Sequence, residues 1–312
     1  MKLSGWKWPG SEVDSVDFDP NAPKYLYKYM GESLFEFFEN CGLRFTQRSS
    51  FNDPFEQLKV DRQKLERLDA DQRQALLADC ANVYAHSKTL VANIFQKKME
   101  LEKSSLSTDV SDYTNGAGLL CLSEVPDSLL MWSHYASEHR GFVIEINAEY
   151  FWKNQLYKND GKFIVRRVLY RDARVDDQQL GLHEYLFDTP HQTISTKSSH
   201  WSYEHEWRIE APLGDGLCFV LKDGDGEANK IYKSKNPYYL HKIPEQYITK
   251  IIFGANCRMQ DILRVKNKLE TNRSLSHVLM KLAVLDPTDF RLRLVNIKHS
   301  DFGGISESCY AP

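Results

Sequence analysis

Short apolar runs bounded by turn residues recur along this chain, and none reaches 18 residues. That length excludes a membrane-spanning helix and favours short strands. Gly141–Asn147 alternates, with Phe142, Ile144 and Ile146 on one face. Ile248–Gly254 reads as a buried strand. Further strands are expected at Tyr25–Tyr29, Leu43–Gln47, Leu119–Leu122, Phe163–Tyr170, Val278–Val284 and Phe290–Ile297. Ser202–Ala211 and Leu217–Leu221 are expected to pair across a Leu213–Gly216 turn. Helices are expected from Ser33 to Glu39, with Gly42 as the C-cap, and at Ser128–Ser137, 176–195 and Met259–Thr271. Short strands mixed with helices give an α+β class: a mixed, largely antiparallel sheet with helical insertions. Residues 1–23 have no period and read as an N-terminal arm. Residues 24–312 read as a single domain, with a helical insertion at about 57–112.

Composition narrows the class. The 312 residues are 42% hydrophobic and 27% charged, which is globular usage rather than disorder. Six cysteines stand apart with no CxxC pair, which disfavours a zinc knuckle and suits a reducing cytoplasm. The first ten residues do not have the pattern of a secretory leader. The net charge is −3, yet residues 228–299 hold 14 basic and 5 acidic side chains. A basic segment of this kind attracts nucleic acid or another polyanion, or forms a solvated face. The sequence lacks GxGxxG after a strand, GxxxxGK[ST], HExxH and GxSxG. Their absence argues against dinucleotide-binding dehydrogenases, P-loop enzymes, zincins and α/β-hydrolases.

Three clusters carry chemistry. In Trp201–Glu210, alternation puts His205, Trp207 and Ile209 on a core face and Glu204, Glu206, Arg208 and Glu210 on the other. Glu204 and Glu206 are then candidate working carboxylates, and the flanking aromatics suit a water-excluding wall. The second cluster is Met131-Trp132-Ser133-His134-Tyr135-Ala136 with His139-Arg140-Gly141-Phe142. His134 and His139 are five apart, a poor spacing for two ligands on one helix, so no metal is expected there. The third joins Tyr25–Tyr29 to the turn Arg48-Ser49-Ser50-Phe51-Asn52-Asp53-Pro54-Phe55-Glu56.

Together these clusters resemble a bacterial family of domains of unknown function. The carrying motifs are Leu26–Tyr29, Phe51–Glu56, Met131–Ile146 and Trp201–Ile209, within residues 24–297. The chain also resembles ADP-ribosyltransferases, through its opening strand, the Arg44-Phe45-Thr46 segment and Glu204-His205-Glu206. It departs from them in offering Lys28 where an Arg or His is usual. That resemblance implies their fold, with NAD as co-substrate and a macromolecular acceptor, either nucleic acid met through residues 228–299 or protein. It also implies a toxin or phage-defence role and a regulatory protein partner. Glu206 would stabilise the oxocarbenium-like ribose, and Glu204 would orient or deprotonate the acceptor. Lys28 or Arg48 would hold the pyrophosphate, helped by Tyr29 and Ser49. Trp132, His134 and Tyr135 would contact the planar rings. Two other readings stand beside this one. One is a non-catalytic sensor or interaction module. The other is a metal-dependent nuclease using Glu145, Glu204 and Glu206.

Overall fold

A computed structural model describes residues 22–31, 37–47, 50–53, 55, 117–155, 163–173, 195–212, 217–219 and 238–297. Nearly all of the expected arm, the 57–112 insertion and the 176–195 helix lie outside the described residues. The strands are β1 (Tyr25–Met30), β2 (Gly42–Phe45), β3 (Ala117–Ser123), β4 (Phe142–Asn147), β5 (Ile164–Arg167), β6 (Leu169–Arg171) and β7 (Thr196–Ser198), then β8 (Glu206–Pro212), β9 (Leu217–Phe219), β10 (Tyr238–Lys242), β11 (Ile248–Phe253), β12 (Leu279–Leu285) and β13 (Leu292–Asn296). The helices are α1 (Phe37–Asn40), α2 (Leu129–Tyr135), α3 (Glu149–Lys153) and α4 (Met259–Thr271).

The main sheet runs β13-β12-β11-β4-β1-β3-β8-β5, and β2-β10-β9 form a second, smaller sheet. Within the main sheet only β11 and β12 pair in parallel, while the other neighbours are antiparallel. The fold is therefore α+β with a mixed, mostly antiparallel sheet, as the sequence predicts.

Strand β4 is central and covered on both faces, so Phe142 through Ile146 are all buried, the paired Glu145 among them. Leu26, Leu120, Leu122, Ile144, Trp207 and Ile209 share one sheet face with the buried Ile262, Val265 and Leu269 of α4. Leu43 and Phe45 of the small sheet join that core. On the opposite face Tyr29, Val143, Ile252 and Ala283 pack beneath Met131 and Trp132 of α2. Fully burying such side chains stabilises by roughly 1.5–3 kcal/mol each.

Helix α2 starts where the Ser128 hydroxyl accepts from the Met131 N–H. It ends in a left-handed turn in which Ser137, Glu138 and His139 have φ of 48°, 54° and 67°. None is glycine, and each such residue costs roughly 1–2 kcal/mol. Tertiary contacts impose the turn. The Gly141 N–H donates to Ala136 O at 2.8 Å and the Asn256 N–H to His139 O at 3.0 Å. A Cβ on Gly141 would sit 2.1 Å from the Met30 carbonyl oxygen, and one on Gly254 would sit 2.0 Å from that of His139.

Four expectations need correction. Gly42 is not the C-cap, because Cys41 takes the left-handed position (φ 52°) and Gly42 opens β2. Ser202–Ala211 is not one strand. Ser199–Glu204 forms a 3₁₀ turn, His205 is left-handed (φ 44°) and exposed rather than in the core, and β8 starts at Glu206. Strand β8 pairs with β3 and β5, while β9 pairs with β10, so no 202–221 hairpin forms. Phe163–Tyr170 divides at Val168, whose N–H donates to Glu206 O before β6 joins β7.

The turn yields a test. Glu138→Gly releases one left-handed side chain and should stabilise by about 0.5–1 kcal/mol. Gly141→Ala should lower the melting temperature sharply. Thermal melts of both variants check the pair, and a destabilised Glu138→Gly would contradict the account of strain.

Candidate active site

The α2 face of the sheet carries a polar row. Register pairs Lys250 of β11 with Glu145 of β4, Glu145 with Tyr27 of β1, Tyr27 with Ser123 of β3, and Ser123 with Glu206 of β8. Directly paired residues point to the same face, so the five side chains line up across the sheet. Arg208, two residues on, shares the face of Glu206 and stands opposite Cys121.

At the β8 end four charges are buried together. Lys197 is 7% exposed, Glu204 3%, Glu206 4% and Arg208 1%. Lys197 Nζ donates to Glu204 Oε2 at 2.6 Å and to Glu206 Oε2 at 3.3 Å. Arg208 grips Glu206 through both oxygens, Nε to Oε1 at 2.9 Å and Nη2 to Oε2 at 3.0 Å. The cluster is neutral, and this pairing is what makes its burial tolerable. The Tyr135 hydroxyl of α2 donates to Glu204 Oε1 at 2.7 Å. The Ser123 hydroxyl donates to Glu204 O at 2.7 Å, and the Glu206 N–H donates to the Tyr170 hydroxyl at 2.8 Å.

The two carboxylates are driven apart. Burial pushes the Glu204 carboxyl above its ordinary range. The Glu206 charge adds to that push, against Lys197 and Tyr135. Burial also opposes ionisation of Glu206, but Arg208 and then Lys197 outweigh it and hold that carboxyl well below the usual range. A neighbouring acid with a raised pKa and another fixed as an anion is the pattern of an acid–base pair.

The rim is aromatic. Lys197 Nζ lies 4.8 Å from the Trp201 ring centre. Trp201 then touches Tyr203, Tyr203 touches His134, and His134 touches Tyr135, with ring centres 6.1–6.3 Å apart. With Tyr135 on one Glu204 oxygen and Lys197, under Trp201, on the other, both ends of this chain of contacts meet at Glu204. The Phe51 turn reaches the same place. Arg208 lies 5.6 Å from the Phe51 ring centre, and Asn52 acts on Tyr135 against the rise in its pKa.

All three sequence clusters therefore meet, though not every expected residue faces the site. Trp132 is fully buried, with its Nε1 donating to Pro126 O at 2.8 Å. Tyr29 is buried, and its hydroxyl donates to Val125 O at 2.8 Å. Both clamp the loop before α2, so their ring faces are spent on the core rather than on a ligand. Lys28 Nζ donates to the Cys121 carbonyl at 3.0 Å, where β1 and β3 share a single register pair. Burial lowers its pKa, against the nearby Glu206 and Glu204 charges. Arg48 and Ser49 lie outside the described residues. Glu206 is buried and fully paired. Glu145 is separated from it by β1 and β3, so the proposed three-carboxylate set does not assemble. Glu145 instead accepts from Lys250 at 2.7 and 2.8 Å, from Thr249 at 2.7 Å and from Tyr27 at 3.1 Å. Among the described residues no three His, Cys, Asp or Glu side chains converge as metal ligands. No helix there is long and apolar enough to cross a membrane. Sequence reasoning missed Lys197 and Tyr170. A lone lysine in Thr196-Lys197-Ser198 gives no periodic signal, because its role arises only when β7 pairs with β6 and the 3₁₀ turn folds back to bring Glu204 and Glu206 to it.

Residues 131–209 match the model of a protein family of unknown function (DUF2971). The matched segment runs from α2 to β8 and contains Tyr135, Glu145, Lys197, Glu204, Glu206 and Arg208. It bears out the resemblance to a family of unknown function. No curated protein and no solved structure matches the chain.

The cluster predicts its own fragility. Lys197→Met leaves two buried carboxylates with one cation and should cost about 3–5 kcal/mol at pH 7. Glu204 then has a still higher folded pKa, so stability is retained at low pH and lost as pH rises through that value. Urea denaturation at pH 5 and pH 7 checks the sign. A deficit equal at both pH values would contradict the pairing.

Proposed function

We propose that the chain is an enzyme with Glu204 as its acid–base carboxylate, cleaving the nicotinamide–ribose bond of NAD and transferring ADP-ribose to a macromolecular acceptor. The observation that carries this reading is the buried Glu204, held between Tyr135 and Lys197 at the ends of a chain of aromatic contacts, while Arg208 fixes its neighbour Glu206 as an anion. The bond from ribose C1′ to the nicotinamide nitrogen breaks, and nicotinamide leaves neutral with the electron pair. The acceptor's nucleophile forms the new bond to C1′ and gives its proton to Glu204. The fixed negative charge beside the reaction centre favours the oxocarbenium-like transition state. This keeps Glu204 in the role expected from the sequence and makes Glu206 a positioning residue instead of a ribose contact. Trp201, Tyr203 and His134 supply the planar faces that Trp132 does not.

A second reading has its own support. The four charges are buried and mutually paired, as in a structural keystone of a non-catalytic interaction module.

Release of nicotinamide from labelled NAD, with EDTA and a cell lysate as acceptor, separates the two. Glu204→Gln should slow release by about 10²–10³-fold while the protein stays folded. The rate should fall on the acid side with a midpoint above the ordinary glutamate range, because the base must be ionised. If wild type releases no nicotinamide, the interaction module takes its place.

A further inference from the structure

The polar row has a second end. Two residues before Tyr27 on β1 stands Tyr25, on the same sheet face. Lys24 Nζ and Lys250 Nζ each lie 5.2 Å from the Tyr25 ring centre. One aromatic ring thus gathers two ammonium groups that would otherwise repel each other. Lys250 uses its contacts on the two oxygens of Glu145, at 2.7 and 2.8 Å, which leaves a third N–H. Lys24 is exposed, and its Nζ forms no ion pair among the described residues. Glu145 answers Lys250, and the next carboxylate along the row, Asp127, acts on Tyr27 and Tyr29, so the exposed Lys24 keeps N–H donors for a ligand. Tyr25 is two residues along β1 and two strands across from Glu206, about 12 Å away by strand spacing and rise. That is the span of a nucleotide with its phosphates.

We infer that Tyr25, Lys24 and Lys250 form a diphosphate subsite, so that a nucleoside-diphosphate-bearing substrate lies along the sheet face with its reacting end at Glu204. The inference rests on the proposed function for its reacting end, but the subsite is defined by its own residues. Phosphate oxygens accept from Lys24 and from the remaining N–H of Lys250. Tyr25 holds both ammonium groups in place before the ligand arrives, which lowers the entropy cost of binding.

Calorimetric titration with ADP tests this, with adenosine in a separate arm. Wild type should bind ADP and bind adenosine at least tenfold more weakly. Lys24→Ser, an exposed change that leaves the core untouched, should weaken ADP binding about tenfold or more, and Lys24→Arg should restore it. Failure of wild type to bind ADP, equal affinity for adenosine, or full ADP affinity in Lys24→Ser would overturn the subsite. The two proposals fail separately. NAD cleavage with an unchanged KM in Lys24→Ser removes the subsite alone. ADP binding that depends on Lys24, in a protein that releases no nicotinamide, removes the transferase reading alone.

Discussion

Lys197 stands between two carboxylates that would not otherwise remain buried side by side. Removing an unpaired carboxylate from water costs several kcal/mol or more, and two at close range repel. The ammonium answers both charges, and Arg208 completes the neutralisation. Much of the local backbone follows from this. Glu204 must turn inward to reach Lys197 and Tyr135, so the chain leaves the extended conformation at the 3₁₀ turn and re-enters it at Glu206 through the left-handed His205. The loop from Glu124 to Ser128 is held in place by donors arriving from three elements. Trp207 donates to the Glu124 carboxylate, Tyr29 to Val125 O and Trp132 to Pro126 O. That loop delivers α2, and α2 delivers Tyr135.

The class of fold was legible because short apolar runs leave little freedom. Gly141–Asn147, Ile248–Gly254 and Met259–Thr271 form their elements nearly as expected, since burial on one face or both is written into their residues. The candidate site was partly legible. Glu204, Glu206 and Tyr135 could be chosen because acids and aromatics stand out when clustered in sequence. Their roles could not. Alternation places Glu204 on the strand face, yet a 3₁₀ turn carries it there, and strand periodicity has no term for that turn. Trp132 and Tyr29 look like ring contacts in a one-dimensional reading, and only packing reveals that their polar atoms clamp a loop. Lys197 gives no sequence signal at all, because its partners lie seven and nine residues away, at the end of the 3₁₀ turn and at the start of β8.

Function, in the proposed reading, divides the pair of acids between them. Arg208 fixes one as a permanent anion, and burial leaves the other able to exchange a proton. A symmetrical pair would do neither well, since each would compete for the same cation. The asymmetry comes from strand geometry. Arg208 and Glu206 are two apart on β8 and share a face, whereas Glu204 lies beyond the kink and meets Tyr135 instead.

The left-handed turn after α2 bears on how the chain acquires its structure. The backbone of Ser137–His139 is unfavourable by itself, and it is anchored by Asn256, whose side chain reaches Glu138 O across 118 residues of sequence. A ribosome must therefore deliver β11 and the start of α4 before α2 can settle, although the segment holding Tyr135, Lys197 and the two acids has long since emerged. The site is assembled late, as a non-local event whose loop-closure entropy is met only near the end of synthesis.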